Sequence, residues 1–395
     1  MKTNLAVLFG GRSVEHEISV ISALQAMENI DREKFTIYPV YISKDGEMYF
    51  GEGLFSADGF RNIPALLKSC RRVTFVRRDG RVMLEAVDAK KPKVQIDVAL
   101  PVVHGTNVED GALQGYLRTL GLPFAGCDVL ASAVGMDKYV MKIMLREGGF
   151  PVLDCVRLRA SDGWELSRYC DKVEETFSYP VIVKPVNLGS SVGISKAADR
   201  RSLEKAISTA FSFADTVLCE RAITSLREIN CSVLGDQSEA QASECEEPFM
   251  CDEILSYKDK YMDSSGGKKA GGAKGGMAGL KRRLPADISP EIREKIRTMA
   301  TDAFRYLGCS GVSRIDFMID TDTDTLYINE FNTIPGSLAF YLWEPMGISY
   351  RELLTRLVML ALKRSREEGE ITYSFDTNIL SMPRGGAKGS KGSKS

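Results

Sequence analysis

Residues 311–337 read GVSRIDFMIDTDTDTLYINEFNTIPGS, and the architecture around them follows from how they pair. Ser313 to Ile319 and Leu326 to Phe331 have the β-branched and aromatic character of strands, and the polar Asp320 to Thr325 between them is a turn. A hairpin symmetric about Thr323 sets Asp316 opposite Glu330 and Arg314 opposite Asn332. Period-two alternation then puts all four side chains on one face, away from Phe317, Ile319 and Phe331. Like charges facing each other cost energy unless a cation sits between them. Two carboxylates, an amide oxygen and an arginine thus form a hard-oxygen magnesium site with a positive group placed to hold phosphate. The alternative is a solvated strand face whose outward residues are merely polar, and a one-residue bulge would spoil the registry.

The chain around this hairpin has 395 residues, enough for two or three domains. Hydrophobic residues make up 44% and charged residues 27%, so a core can be buried under a soluble surface. A formal net charge of -1 gives no global reason to expect a polyanionic partner such as nucleic acid. No window has the 18 or more apolar residues of a membrane span, and MKTNLAVLFGG lacks a signal-peptide cleavage site, which predicts a cytoplasmic protein. Nine scattered cysteines without a CxxC pair read as reduced thiols. With only His16 and His104, neither a His-rich zinc site nor a histidine-based nucleophilic triad is expected, and any metal is held mainly by oxygen.

Toward the amino terminus, the strand Leu5 to Phe9, the turn Gly10-Gly11, a helix from Glu15 to Ile30 and the strand Phe35 to Ile42 alternate as in α/β proteins. Hairpin pieces at Arg72 to Arg77 and Arg81 to Ala86, a buried strand Ile96 to Val103 and a helix from about Glu109 to Leu120 follow. The pattern predicts a mostly parallel sheet covered on both faces, with ligands at the carboxyl ends of strands, where Gly10, Gly11 and His104 fall. A second region begins near Met136-Asp137-Lys138. It holds strands at Pro180 to Lys184 and Val192 to Lys196, a helix from Arg201 to about Ala214 and the strand Val217 to Glu220. A third runs from about Glu228 through two strands and a helix near Pro290 to Leu307 to a closing helix from Tyr350 to about Arg366. The expected units are 1–130, 131–222 and 223–368. Within the third, the glycine and lysine-rich tract Ser264 to Arg283 is either a solvated linker or a lid, about 257–283, that closes over anionic ligands. Residues 383–395 read as a disordered basic tail.

Lys184 at a strand end, followed by Pro185-Val186-Asn187-Leu188-Gly189-Ser190-Ser191, offers small side chains, backbone N–H groups and hydroxyls to a phosphate. It is neither a P-loop nor, at Gly10-Gly11-Arg12-Ser13, a dinucleotide fingerprint. Glu15 and Glu17 at a helix start would repel phosphate; they either complement the helix dipole or receive an ammonium group.

The stretches GGRSVEHEIS (10–19), PVVHGTNVEDGALQGYL (101–117), LPFAGCDVLASAVGMDK (122–138), YPVIVKPVNLGSSVG (179–193), SRIDFM (313–318) and NEFNTIPG (329–336) occur in the order found in the D-alanine:D-alanine ligases of the ATP-grasp superfamily. The chain resembles that family over nearly its whole length. The resemblance implies an α/β fold, with a Rossmann-like amino-terminal domain and two α+β subdomains that grip ATP. It also implies a cytoplasmic homodimer, ATP and D-alanine as substrates, and two magnesium ions, with manganese able to replace them, in the service of peptidoglycan precursor synthesis.

By the same resemblance Lys138 and Lys184 contact ATP phosphates with Ser191 and Lys260 nearby, Glu220 lies on the adenine side and Glu228 on the ribose. Arg221 stands where the family often has lysine. Asp316, Glu330 and Asn332 match the metal ligands. Glu15 resembles the residue that holds the first D-alanine's ammonium, Ser190 and Tyr261 its hydrogen-bonded partners, and His104 the histidine near that substrate. Arg314 and the Gly336 N–H resemble the groups that polarise the tetrahedral intermediate. Two departures stand out: the lid sequence, and SLAFYLWEP after Gly336, which puts Tyr341 where the family has a serine on the second substrate's carboxylate. A ligase of the same build that takes D-lactate, D-serine or another amino acid is the nearest rival. A non-catalytic nucleic-acid-binding protein is the remote one, for no stacking aromatics interleave the basic tracts.

Overall fold

The computed structural model describes residues 2–88, 93–189, 192–248 and 282–375. Strand β1 (Thr3–Gly10) is buried along its last six residues, as a central strand covered on both faces must be. After it come α1 (His16–Asn29), β2 (Phe35–Ile42), β3 (Met48–Phe50), α2 (Ile63–Ser69), β4 (Arg71–Arg78), β5 (Arg81–Ala86), β6 (Lys93–Ile96), β7 (Val98–Pro101) and α3 (Ala112–Leu120). The seven strands form one sheet in the order β6-β5-β4-β3-β2-β1-β7. Only β2-β1-β7 is parallel; the remaining pairings run antiparallel. The mostly parallel sheet expected above is therefore a mixed one: short reversals join β2 to β3 and β4 to β5, and the longer connection from β3 to β4, which carries α2, also returns the chain antiparallel. The expected single strand Ile96 to Val103 is split: β6 pairs with β5, while β7 lies beside β1.

Helices α4 (Val129–Met136) and α5 (Lys138–Glu147) lead into β8 (Cys155–Arg159), α6 (Leu166–Glu174), β9 (Val181–Pro185), β10 (Ser195–Ala197), α7 (Arg200–Phe211) and β11 (Thr216–Arg221). These strands make a four-stranded antiparallel sheet, β10-β9-β11-β8. The Asp137 carboxylate accepts from the N–H groups of Tyr139 and Val140 and starts α5 at Lys138. The third sheet, β14-β13-β12-β15-β16, comprises β12 (Leu226–Gly235), β13 (Ala240–Pro248), β14 (Arg282–Arg283), β15 (Gly311–Asp320) and β16 (Thr325–Asn332). It is backed by α8 (Pro290–Tyr306), capped by the Ser289 hydroxyl on the Ile292 N–H. The last helix, α9 (Tyr350–Gly369), follows the third sheet in sequence but packs with β1, α1 and Trp343 in the first core. Its Arg364 donates to the carbonyls of Gly126 and Phe124 and so ties the amino-terminal unit to the rest of the chain.

The β15–β16 ladder pairs Asp316 with Glu330 and Arg314 with Asn332, as the sequence predicts. The hairpin is not symmetric, however. From Phe317 outward the register shifts by one, Phe317 pairing with Ile328 and Asp320 with Thr325. The bulge thus falls at Asn329. Without it Asp316 would face Asn329, so the bulge is what brings the two carboxylates opposite each other. Phe317, Ile319 and Phe331 pack into the second core, on the far side from the charged face.

Candidate active site

The second and third sheets, with the segments that follow β1 and β7, line one cleft of about 260 Å³. Glu15, His104, Lys138, Lys184, Glu220, Arg221, Glu228, Arg314, Asp316, Glu330, Asn332 and Gly336 line it together, although they span most of the chain. Ser190, Ser191, Lys260, Tyr261, almost all of the expected lid and the basic tail lie outside the described residues.

One end of the cleft is dominated by lysines. Lys138, on the first turn of α5, reaches the Leu188 carbonyl at 2.7 Å and Glu330 Oε2 at 3.3 Å. Lys184, at the end of β9, lies 2.9 Å from Glu220 Oε2 and donates to Asn329 Oδ1 at 3.3 Å. Lys142, one helical turn beyond Lys138 and fully buried, sits 2.8 Å from the other oxygen of Glu220. Burial alone would raise the Glu220 carboxyl, but the two ammonium groups outweigh it and hold the group below its ordinary value. Burial pushes the Lys142 ammonium down, with Glu220 opposing. Arg221 donates to Asp320 Oδ2 at 3.0 Å and to the Tyr327 hydroxyl at 3.2 Å.

The hairpin end is dominated by carboxylates. Arg314 clamps Asp316 in a two-pronged contact, Nε to Oδ1 at 2.6 Å and Nη2 to Oδ2 at 2.7 Å, and Asn332 Nδ2 donates to Oδ2 at 3.0 Å. Burial raises the Asp316 carboxyl; Arg314 opposes this, but Glu330 and Glu246 add to it. A carboxylate offers about four acceptor positions, so Asp316 retains capacity beyond these three bonds. Two carboxylates and an amide with surplus negative charge fit a hard divalent cation. Among the described residues no three or more His, Cys, Asp and Glu side chains gather as a metal-holding group, so the candidate set depends on the Asn332 amide.

The floor is built from neutral hydrogen bonds. The Ser337 N–H donates to Ser22 Oγ at 3.0 Å, Ser22 Oγ lies 3.0 Å from His104 Nε2, and His104 Nδ1 donates to the Ile334 carbonyl at 2.8 Å. Burial, with the Arg314 charge, pushes the His104 imidazole down to about 4, so it is neutral. Glu109 accepts from the N–H groups of Gly105 and Ile334 at 3.0 and 2.9 Å; burial first, then the Glu15 charge, pushes it up to about 8. Beyond Gly336, Ser337, Leu338 and Ala339 all have φ between 50 and 55. Left-handed conformations cost non-glycine residues roughly 1–2 kcal/mol each. Here the bond from Ser337 Oγ to Gln25 Oε1 at 2.6 Å and the burial of Leu338 and Ala339 offset that cost.

The structure corrects the placement of Tyr341. Its side chain is buried and is not among the cleft-lining residues, and its hydroxyl donates to Glu246 Oε1 at 2.9 Å, so it does not face a ligand as expected. Sequence reasoning also missed Lys142, Glu109, Asn329, Glu246 and Arg282. Lys142 carried a signal, since it follows Lys138 by four residues on one helical face. Arg282 falls in the basic tract expected to close over anionic ligands, but Glu246 carried no signal, because the two meet only through the third sheet.

A cleft between two antiparallel sheets, with lysines on one side and a carboxylate hairpin on the other, defines the ATP-grasp class of fold. The D-ala D-ala ligase carboxy-terminal family model matches residues 144–359 and the corresponding amino-terminal model residues 4–127, so the chain belongs to the D-ala D-ala ligase family. It is 37% identical to the D-alanine--D-alanine ligase of Thermosipho melanesiensis, covering 97% of this chain and 99% of that one. Among solved structures it resembles the D-alanine-D-alanine ligase from Coxiella burnetii, with TM-score 0.78, 30% identity and coverage of 93% and 96%. It also resembles the VanG D-Ala:D-Ser ligase from Enterococcus faecalis, with TM-score 0.75, 30% identity and coverage of 91% and 100%.

Proposed function

We propose that the chain is an ATP-dependent ligase that joins two molecules of D-alanine through an acyl phosphate. The observation that carries this reading is the pairing of Asp316 with Glu330 across β15–β16, in a cleft that also holds Lys138, Lys184 and Glu15. Lys138 and Lys184 neutralise the phosphates of ATP, with Glu220 and Glu228 on the nucleoside side. Asp316, Glu330 and Asn332 are the residues that would hold magnesium, or manganese, which when bound screens the triphosphate charge.

Glu15 receives the ammonium of the first D-alanine, whose carboxylate oxygen then bonds to the γ-phosphorus as the bond to ADP breaks. The amine of the second D-alanine, after losing a proton, attacks the acyl carbon. Arg314 and the Gly336 N–H offset the charge on the oxygen, and phosphate leaves with the bonding electrons. No protein nucleophile is needed, in keeping with a chain that has two histidines. By resemblance to the family, the proposal extends to a cytoplasmic homodimer supplying peptidoglycan precursors.

The test is ATP-dependent phosphate release with D-alanine as the only amino acid, beside D-serine and D-lactate mixtures, with products identified by mass. One phosphate per D-alanyl-D-alanine is expected. Phosphate release without dipeptide, or preferential formation of a mixed product, would contradict the reading.

A further inference from the structure

Glu246 is 2% exposed, yet it borders the cleft. Its Oε1 accepts from the Tyr341 hydroxyl at 2.9 Å and Asn230 Nδ2 at 3.0 Å, and its Oε2 from Arg282 Nη1 at 3.0 Å. The Arg282 guanidinium also lies over the Tyr341 ring, 3.9 Å from its centroid. Burying a carboxylate is costly unless its partners are fixed in return, and what is fixed here is a guanidinium on the cleft wall. We propose that Arg282, held in place by Glu246 and Tyr341, binds the carboxylate of the second, amine-donating substrate and selects acceptors that carry one; this rests on the ligase reading above.

Three observations favour Arg282 over its neighbours. Arg314 spends Nε and Nη2 on Asp316. The Tyr341 hydroxyl is committed to Glu246, and burial followed by the Glu246 charge keeps it protonated. Arg282 shares the cleft with Arg314 and Gly336, beside which the incoming amine must attack, and an amino acid's carboxylate lies only two bonds from its amine. A planar fork suits that carboxylate better than the point charge of a lysine.

The experiment pairs D-alanine as donor with either D-alanine or D-alaninamide as acceptor; the amide has no carboxylate to activate and can only accept. Dipeptide and dipeptide amide are separated by mass. Wild type is expected to favour the acid, and Arg282→Met to raise the acceptor KM for D-alanine about 10- to 100-fold while leaving the amide nearly unaffected. Arg282→Lys should restore part of the preference, and thermal unfolding of Arg282→Met establishes that the variant is folded at the assay temperature. An unchanged acid-over-amide ratio in Arg282→Met, or equal loss of both products, overturns the assignment. Absence of any dipeptide from wild type would instead defeat the ligase reading itself.

Discussion

At the nucleotide end of the cleft one carboxylate, Glu220, lies within 2.8 and 2.9 Å of two ammonium groups, those of Lys142 and Lys184. At the hairpin end the proportion reverses. Asp316 has one guanidinium partner but feels the negative charge of both Glu330 and Glu246. The nucleotide end is buried and the hairpin end is half-buried, so water relieves neither imbalance fully. The cationic surplus suits a polyphosphate and the anionic surplus a metal cation, and the Lys138–Glu330 contact at 3.3 Å joins the two. A ligand that carries both charges, a nucleotide with its divalent ion, completes both ends at once.

The comparison breaks most visibly at Glu330. Glu330→Gln keeps the shape of the residue and its ladder pairing but removes one of the two facing charges. Ligation is expected to fall at least about a hundredfold with the melting temperature unchanged; turnover near the wild-type rate would remove the hairpin from the mechanism. The opposite end should respond in stability rather than in rate. Lys142→Met leaves Glu220 with one cation in a dry site, and denaturant unfolding should show a loss of about 3 kcal/mol. A smaller effect would come from the loop between the ends. A methyl group at Gly189 would lie 2.9 Å from Glu15 Oε2. Gly189→Ala should therefore displace that carboxylate and raise the KM for the first D-alanine about tenfold in steady-state kinetics.

The smallest expected effect is on pH dependence. His104, at about 4 in the fold against an ordinary 6.5, binds its proton more readily when unfolded, so its contribution is lost as pH falls from 6.5 toward 4. Glu109, at about 8 against 4.5, is the reverse: the fold retains the proton, and stability is lost as pH rises from 4.5 toward 8. The two oppose each other between 4.5 and 6.5, and of the two only Glu109 acts above that. Thermal unfolding followed across pH 6.5 to 8 should show declining stability in wild type and a flatter profile in Glu109→Gln.

Much of the nucleotide side was legible in sequence because its residues stand in short local patterns. Lys138 opens a helix behind an Asp137 cap, Lys184 ends an apolar strand, and Asp316 and Glu330 flank a polar turn. The hairpin also shows where local reasoning stops. Symmetry about Thr323 predicts the facing pair, whereas the ladder reaches it through a bulge at Asn329, a feature with no signature in composition. The antiparallel half of the first sheet is hidden for a related reason, since strand direction depends on connections rather than on apolar runs. Tyr341 was misplaced because its surroundings are set by β12, β13 and β14, more than ninety residues away along the chain in the case of Glu246.

Calorimetric titration of ATP into wild type and Glu330→Gln, with and without magnesium, tests the charge arrangement most directly, because it reads binding and not turnover. Wild type should bind the nucleotide much more tightly when magnesium is present, and the variant should lose most of that gain. Equal ATP affinity in all four titrations would contradict the account.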